Sequence, residues 1–261
     1  MNNILKKKQD KVLGLSSEDR RSKLKTYFKK SKLLYPVLTL GVALLLTQAD
    51  ILLGLLGVLI AGVWVYWELR PMFDAPEDKM VDRWLAQDLQ FLRRRSLERL
   101  NIDESELIQE KSLFVRGPIL NPGRTNISTE DVTWKKGKDK KLRFSAYYIT
   151  VIHLTEHKLS SYQCDYNFIR GVPVRENDDE YFYRDVVSVS TKDIDIDSIE
   201  LSANQILRSA QVFQLIVPGS RVEVKVNYPE LKDYTDGSVV DTSHVDYAIK
   251  AIRKVLLEKK V

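Results

Sequence analysis

The stretch LLYPVLTLGVALLLTQADILLGLLGVLIAGVWVYW, residues 33–67, carries one charge, Asp50, in a chain that is 30% charged overall. As a single helix its thirty-five residues would extend about 52 Å, well beyond a hydrocarbon core of roughly 30 Å. Splitting it at Thr47-Gln48-Ala49-Asp50 gives two segments, 33–49 and 51–67, each of about seventeen residues, at the short end for a span. Asp50 then falls at a hairpin tip among the opposite headgroups, while Trp64, Tyr66 and Trp67 fall where an aromatic belt sits. The pattern predicts two tightly linked membrane spans. A buried hairpin in a soluble core would show a polar stripe, which neither segment has. A signal peptide cut after Ala49 would have a short leading region, whereas thirty-two residues precede this block and a second apolar run follows at once. Pro36 and the glycines at 41, 54, 57 and 62 are tolerated where neighbouring helices satisfy freed backbone groups. Gly54, Gly57 and Gly62 permit close helix packing, and hence a homo-oligomer through the spans, without forming GxxxG.

The net charge of +5 is unevenly placed. Residues 1–32 hold eleven Lys/Arg against three acids, and residues 68–261 hold thirty against thirty-two. A near-neutral folded part offers no excess of cations for counterion release, which argues against a nucleic-acid partner. Arg20, Arg21, Lys23, Lys25, Lys29, Lys30 and Lys32 crowd the approach to the first span, and no cation lies in the connection. By the positive-inside rule both termini are cytoplasmic, at an inner membrane. The same basic residues, with Trp84 further along, are candidate contacts with membrane lipid; the plainer account of the arm is that it fixes topology. The single Cys164 excludes an internal disulfide.

Arg70-Pro71 should stop the second helix, and Asp74-Ala75-Pro76-Glu77 reads as a turn. In EDKMVDRWLAQDLQFLRRRSLERL, Met80, Trp84, Leu85, Leu89, Leu92 and Leu100 recur at helical spacing. This helix has a sticky face that could lie on the membrane, form an oligomer seam or, as is ordinary, pack on the protein's own domain. From Ser112 the pattern changes to strands: LFVRGPI, LRFSAYYITVIHLTE, KLSSYQCDYNFIRG, EYFYRDVVSVSTKD, DSIELS, AQVFQLIVP and RVEVKVNY. Pro218-Gly219 fits a type II turn between the last two. The polar segment NPGRTNISTEDVTWKKGKDKK is either a long loop or a short extra hairpin. A final helix, capped by Asp241 or Thr242, carries the stripe Val245, Ala248, Ile249, Ile252, Val255 and Leu256.

About seven strands followed by one amphipathic helix, over residues 112–260, resembles the layout of bacterial pleckstrin-homology-like domains, in which the helix closes one end of a bent sheet. ENDDEYFYRDVVSVSTKD is similar to segments of uncharacterised bacterial two-span membrane proteins. The resemblance implies a binding or assembly module; fold alone establishes no function.

Little in the chain points to catalysis. His153, His157 and Cys164 could be gathered into a zinc site, but they lack a supporting Cys pair or HExxH helix and read more simply as sheet residues. His244 reads as a surface or capping group. DIDIDSIE has Ser198 where an EF-hand loop needs glycine, and its alternation fits a strand with one wet face. Asp178, Asp179 and Glu180 read as a solvated turn. No GxSxG, GxxxxGK[ST] or GxGxxG occurs, and no cofactor or metal is expected. Tyr162, Tyr166, Tyr181 and Tyr183 with Arg170, Arg175 and Arg184 form a candidate recognition surface, set against plain cross-strand packing.

The sequence therefore predicts an α+β protein. It has a basic cytoplasmic arm (1–32), a two-helix transmembrane hairpin (33–67), a juxtamembrane helical linker (68–110) and a cytoplasmic antiparallel β domain, a sandwich or barrel, capped by a C-terminal helix (111–261). Tethering a protein partner or a lipid headgroup is the expected function. A membrane-disturbing effector and a membrane-bound enzyme are the competing ones.

Overall fold

The computed structural model describes residues 17–29, 38–42, 44, 51–108, 112–202, 205–235, 237 and 240–259. The chain divides into two units, Met1–Val81 and Asp82–Val261.

In the first unit, helix α1 (Ser17–Phe28) has Glu18 and Asp19 in its first turn and Lys25 in its last, matching the helix dipole at both ends. Leu24, Tyr27 and Phe28 are buried. The Tyr27 ring meets Phe28 edge-on at 5.0 Å, and its hydroxyl donates to Asp78 at 2.6 Å. Helix α2 (Ile51–Phe73) runs through Pro71, which was expected to stop it, and ends two residues later. A proline this close to a helix end removes one terminal hydrogen bond instead of breaking the middle of a ladder. Of the first predicted span only residues 38–42 and 44 are described, as helix; the rest, with the 47–50 connection, lies outside the described residues. Among the described residues no helix is long and apolar enough to cross a membrane.

Helix α3 (Asp78–Leu100) follows the predicted turn, with Glu77 O accepting from the amides of Met80 and Val81. Its buried positions Val81, Trp84, Leu85, Asp88, Leu89, Leu92 and Ser96 fall on one stripe at spacings of three and four, and Leu97 is buried beside them. From Asp82 onward the helix packs on the β unit, the ordinary one of the three readings.

The β unit is α+β with antiparallel sheets. β1 (Leu113–Pro118), β4 (Ala146–Leu154), β5 (Lys158–Asn167) and β6 (Val172–Phe182) form a four-stranded sheet in the order β1-β4-β5-β6. β2 (Trp134–Lys136) and β3 (Leu142–Phe144) form the short hairpin that the polar segment allowed. β7 (Ser188–Ser202), β8 (Gln205–Val217) and β9 (Ser220–Asn227) form a three-stranded meander. The seven expected strands become nine for identifiable reasons. LRFSAYYITVIHLTE breaks at Ser145, whose hydroxyl reaches back to the carbonyl of Asp131 (2.6 Å) and so bends the chain between β3 and β4. Asp178, Asp179 and Glu180 lie in β6, not in a turn: β6 is an edge strand, and its charges stand in water or against α3 while its backbone pairs with β5. EYFYRDVVSVSTKD is interrupted by a 3-10 turn at Tyr183–Asp185, whereas DIDIDSIE continues β7 with its aspartates exposed, as alternation predicted.

One core gathers Leu113, Val115, Ile152, Phe213, Leu215 and Val224 from both larger sheets with Val245, Ala248, Ile249, Ile252 and Val255 of helix α4 (Ser243–Lys259). The predicted stripe is the buried one. Asp241 accepts from the Ser243 amide (3.1 Å) and hydroxyl (2.7 Å) at the helix start. β1 and β9 approach so closely that a Cβ on Gly117 would stand 1.6 Å from the carbonyl oxygen of Lys225. The Pro218-Gly219 turn joins β8 to β9 with Gly219 at φ 78°, the left-handed region that glycine enters without strain.

Candidate functional site

Helix α2 carries the most unusual surface. Ile51, Leu52, Leu55, Leu56, Leu59 and Ile60 are exposed, as are Val63, Trp64, Tyr66 and Trp67. At about 100° per residue these positions sweep roughly two-thirds of the helix circumference. The remaining third holds buried Ala61 and the half-buried Gly57, Val58 and Val65. No charge occurs from Ile51 to Trp67, so the helix lacks the polar face of an interfacial amphipathic helix.

The candidate lipid contacts separate. Lys25 and Lys29 are exposed, Arg21 and Lys23 are half-buried, and Lys30 and Lys32 lie outside the described residues. Arg20 is only 6% exposed and Trp84 only 1%, so neither presents itself to a membrane; Trp84 belongs to the packed stripe of α3.

The tyrosine and arginine recognition surface does not assemble. Tyr162 and Tyr166 are buried on β5, which is covered on both faces, and Tyr183 is buried in the 3-10 turn after β6. Tyr183 donates to Thr155 O at 2.7 Å and Tyr162 to Glu176 at 2.5 Å. Arg170 is held by Asp131 and Arg175 by Asp165, both at 2.5 Å. Tyr181 is half-buried and packs against the core; the three arginines are exposed, Arg170 and Arg175 within their ion pairs and Arg184 with its guanidinium 5.4 Å from the Phe182 ring centre. These residues are cross-strand packing and local ion pairs, dispersed around the sheet.

The zinc reading fails on geometry. His157 is exposed in the β4–β5 turn, His153 is fully buried, and among the described residues no His/Cys/Asp/Glu cluster could hold a metal. Burial pushes the Cys164 thiol up to about 12. His153 instead joins a hydrogen-bond ring. Ser96 Oγ donates to Arg93 O (2.7 Å) and so must accept from His153 Nε2 (2.7 Å). Ser112 Oγ, which accepts from Arg93 Nε (3.1 Å), donates to His153 Nδ1 (2.8 Å). The ring closes only for a neutral imidazole protonated on Nε2. Burial and the charge of Arg93 hold its pKa down at about 4.

Further pairs bind α3 to the sheets. Arg95 grips Glu176 with Nε and Nη2 at 2.5 and 2.6 Å, and Arg99 meets Asp178 at 2.5 Å. Arg143, almost fully buried, forks onto Asp82 (2.8 and 2.7 Å) and Asp139 (2.9 and 2.8 Å). That contact holds Asp139 below the usual carboxylate range.

Beside Arg143 opens a cleft of about 290 Å³ between the start of α3, β3 and the chain just before α4. Leu85, Leu142 and Phe144 supply an apolar wall, and Arg116, Lys141 and Tyr147 supply polar groups. His244, at the first turn of α4, is no surface group: its Nε2 accepts from the Arg116 amide at 3.2 Å, and burial lowers its pKa to about 4. The cleft was not legible in the sequence, since its lining residues come from four distant segments and form no local motif. No family model, curated protein or solved structure matches the chain.

Proposed function

We propose that the chain is a membrane-anchored binding module. Residues 33–67 form a two-span hairpin in an inner (cytoplasmic) membrane with both termini cytoplasmic, and the β unit tethers a protein partner or a lipid headgroup at that surface. The carrying observation is α2, whose apolar side chains are exposed over about two-thirds of its circumference with no polar face. Leaving such a helix in water costs roughly 1.5–3 kcal/mol for each large side chain, and a bilayer removes that cost. At about 1.5 Å per residue its uncharged run, residues 51–67, extends about 25 Å, at the short end for a span. The basic residues before residue 33 and the absence of any Lys or Arg from the connection support the orientation.

The binding half of the reading draws on layout. Apart from the β2–β3 hairpin, seven strands are followed by a closing helix, and about seven strands with one amphipathic helix is the layout that resembles a pleckstrin-homology-like module. Anchoring raises the module's effective concentration toward partners on the same membrane.

Fractionation tests the anchor. The full chain should pellet with membranes, resist alkaline carbonate and enter solution only with detergent. A monodisperse species in a detergent-free supernatant overturns the reading. Crosslinking in intact membranes should then trap a partner on the β unit, above the level given by an unrelated two-span protein.

A further inference from the structure

We infer that the cleft beside Arg143 is a binding site for a phosphate-bearing ligand, whose oxyanion is held by Arg116, Lys141 and Tyr147. The inference deepens the binding-module reading by naming the chemistry the module takes.

Hydrogen-bond accounting carries it. Tyr147 is 6% exposed, lines the cleft, and accepts from the Phe144 amide at 3.2 Å. Its hydroxyl hydrogen has no acceptor among the described residues, and a buried donor left this way costs free energy that a ligand oxygen would recover. The Arg116 guanidinium has Asp241 as its ion-pair partner at 3.9 Å, beyond hydrogen-bond reach, and is only a quarter exposed. Lys141, on the same rim, has no ion pair among the described residues.

The acids of the cleft are already engaged. Asp82 has both oxygens on Arg143, and Asp241 accepts twice from Ser243. What remains unfilled is a set of donors: one neutral hydroxyl and two cations. Three donors lining one cleft, none hydrogen-bonded to an acceptor among the described residues, match an oxyanion, and phosphate has enough oxygens to meet all of them. The neighbouring wall of Leu85, Leu142 and Phe144 would cover an apolar part of the same ligand. A membrane phospholipid headgroup and a soluble phosphate monoester offer the same group.

The test uses the full chain in phosphatidylcholine nanodiscs, titrated with inorganic phosphate at constant ionic strength and followed by phosphorus NMR and calorimetry. Saturable binding is expected, weakened about tenfold by Arg116→Gln and several-fold by Lys141→Gln, with Arg184→Gln unchanged as a distant control. Lys141 is exposed and Arg116→Gln keeps a polar side chain in a half-buried position, so melting curves recorded beside each titration separate lost binding from lost fold. Tyr147→Phe should also weaken binding. Competition by phosphatidic acid doped into the nanodisc assigns the site to a lipid headgroup; competition by glycerol 3-phosphate alone assigns it to a soluble ester. Either result supports the site. Absence of saturable binding, or equal binding by wild type and Arg116→Gln, overturns it. Membrane fractionation is unaffected by that outcome, so failure of the ligand inference is separable from failure of the anchor.

Discussion

Ser96 Oγ lies 2.7 Å from His153 Nε2 in a fully buried contact that ties α3 to the middle of β4. The ring through Arg93 and Ser112 satisfies every one of its members only while the imidazole is neutral. In the folded state the His153 pKa is lowered to about 4 by burial first and Arg93 second, against an ordinary 6.5. The unfolded chain therefore binds more protons between these values, and stability must fall as pH drops from about 6.5 toward 4. The linked contribution is about 3 kcal/mol at full extent, and His244, lowered for the same reason, adds in the same direction. Denaturant titration of the β unit's unfolding at pH 7 and pH 5 should show the loss. His153→Gln should flatten the slope, and an unchanged slope would refute the neutral ring. Ser96→Ala, which strands the Nε2 hydrogen, should cost about 1–3 kcal/mol at pH 7.

Gly117 and Gly219 make opposite use of the missing side chain. At Gly117 a methyl group would overlap the Lys225 carbonyl at 1.6 Å, and β1 is clamped on its other side by β4. Gly117→Ala should separate β1 from β9 and cost about 3 kcal/mol or more. At Gly219 there is open space, and only the backbone angle resists, so Gly219→Ala should cost about 1 kcal/mol. Thermal melts of the two variants side by side check the ranking; equal losses would show that β1 can shift away from β9 cheaply.

Cys164 supplies a probe of opening. It is 4% exposed on β5, and burial raises its thiol to about 12, so the thiolate that reacts is scarce near neutrality. Maleimide labelling of the native protein should be slow, should become fast in denaturant, and should track unfolding measured by circular dichroism. Rapid native labelling would mean that the four-stranded sheet opens locally.

Where one face of an element decided its fate, the sequence was readable. The α4 stripe from Val245 to Val255 and the alternation of DIDIDSIE both appear as periodicity, and both hold. Asp178, Asp179 and Glu180 misled because strand membership at a sheet edge is set by backbone pairing with β5, which three consecutive acids do not advertise. Trp84 and Tyr162 were ambiguous for a different reason: an aromatic residue at helical or strand spacing serves a core and a binding surface equally well, and only tertiary packing separates them. The Arg143 fork joins Asp82 to a position 61 residues away, a relationship carried by no local pattern.

The exposed arc of α2 allows a direct test of what covers it. Leu56 and Leu59 both sit on that arc near the helix middle, 56% and 67% exposed. In water, replacing two exposed leucines by lysine would be neutral or favourable to solubility. In a bilayer each lysine at the helix centre costs about 2.5–3.5 kcal/mol on insertion scales, enough together to oppose insertion of a segment this short. Leu56→Lys with Leu59→Lys should therefore move the full chain from the carbonate-resistant pellet toward the soluble or aggregated fraction. Phe182→Lys with Val187→Lys, at exposed apolar positions of the β unit, should leave it in the pellet. If the α2 variant stays in the pellet and resists carbonate as the wild type does, lipid is not what α2 meets, and the anchor must lie elsewhere in the chain.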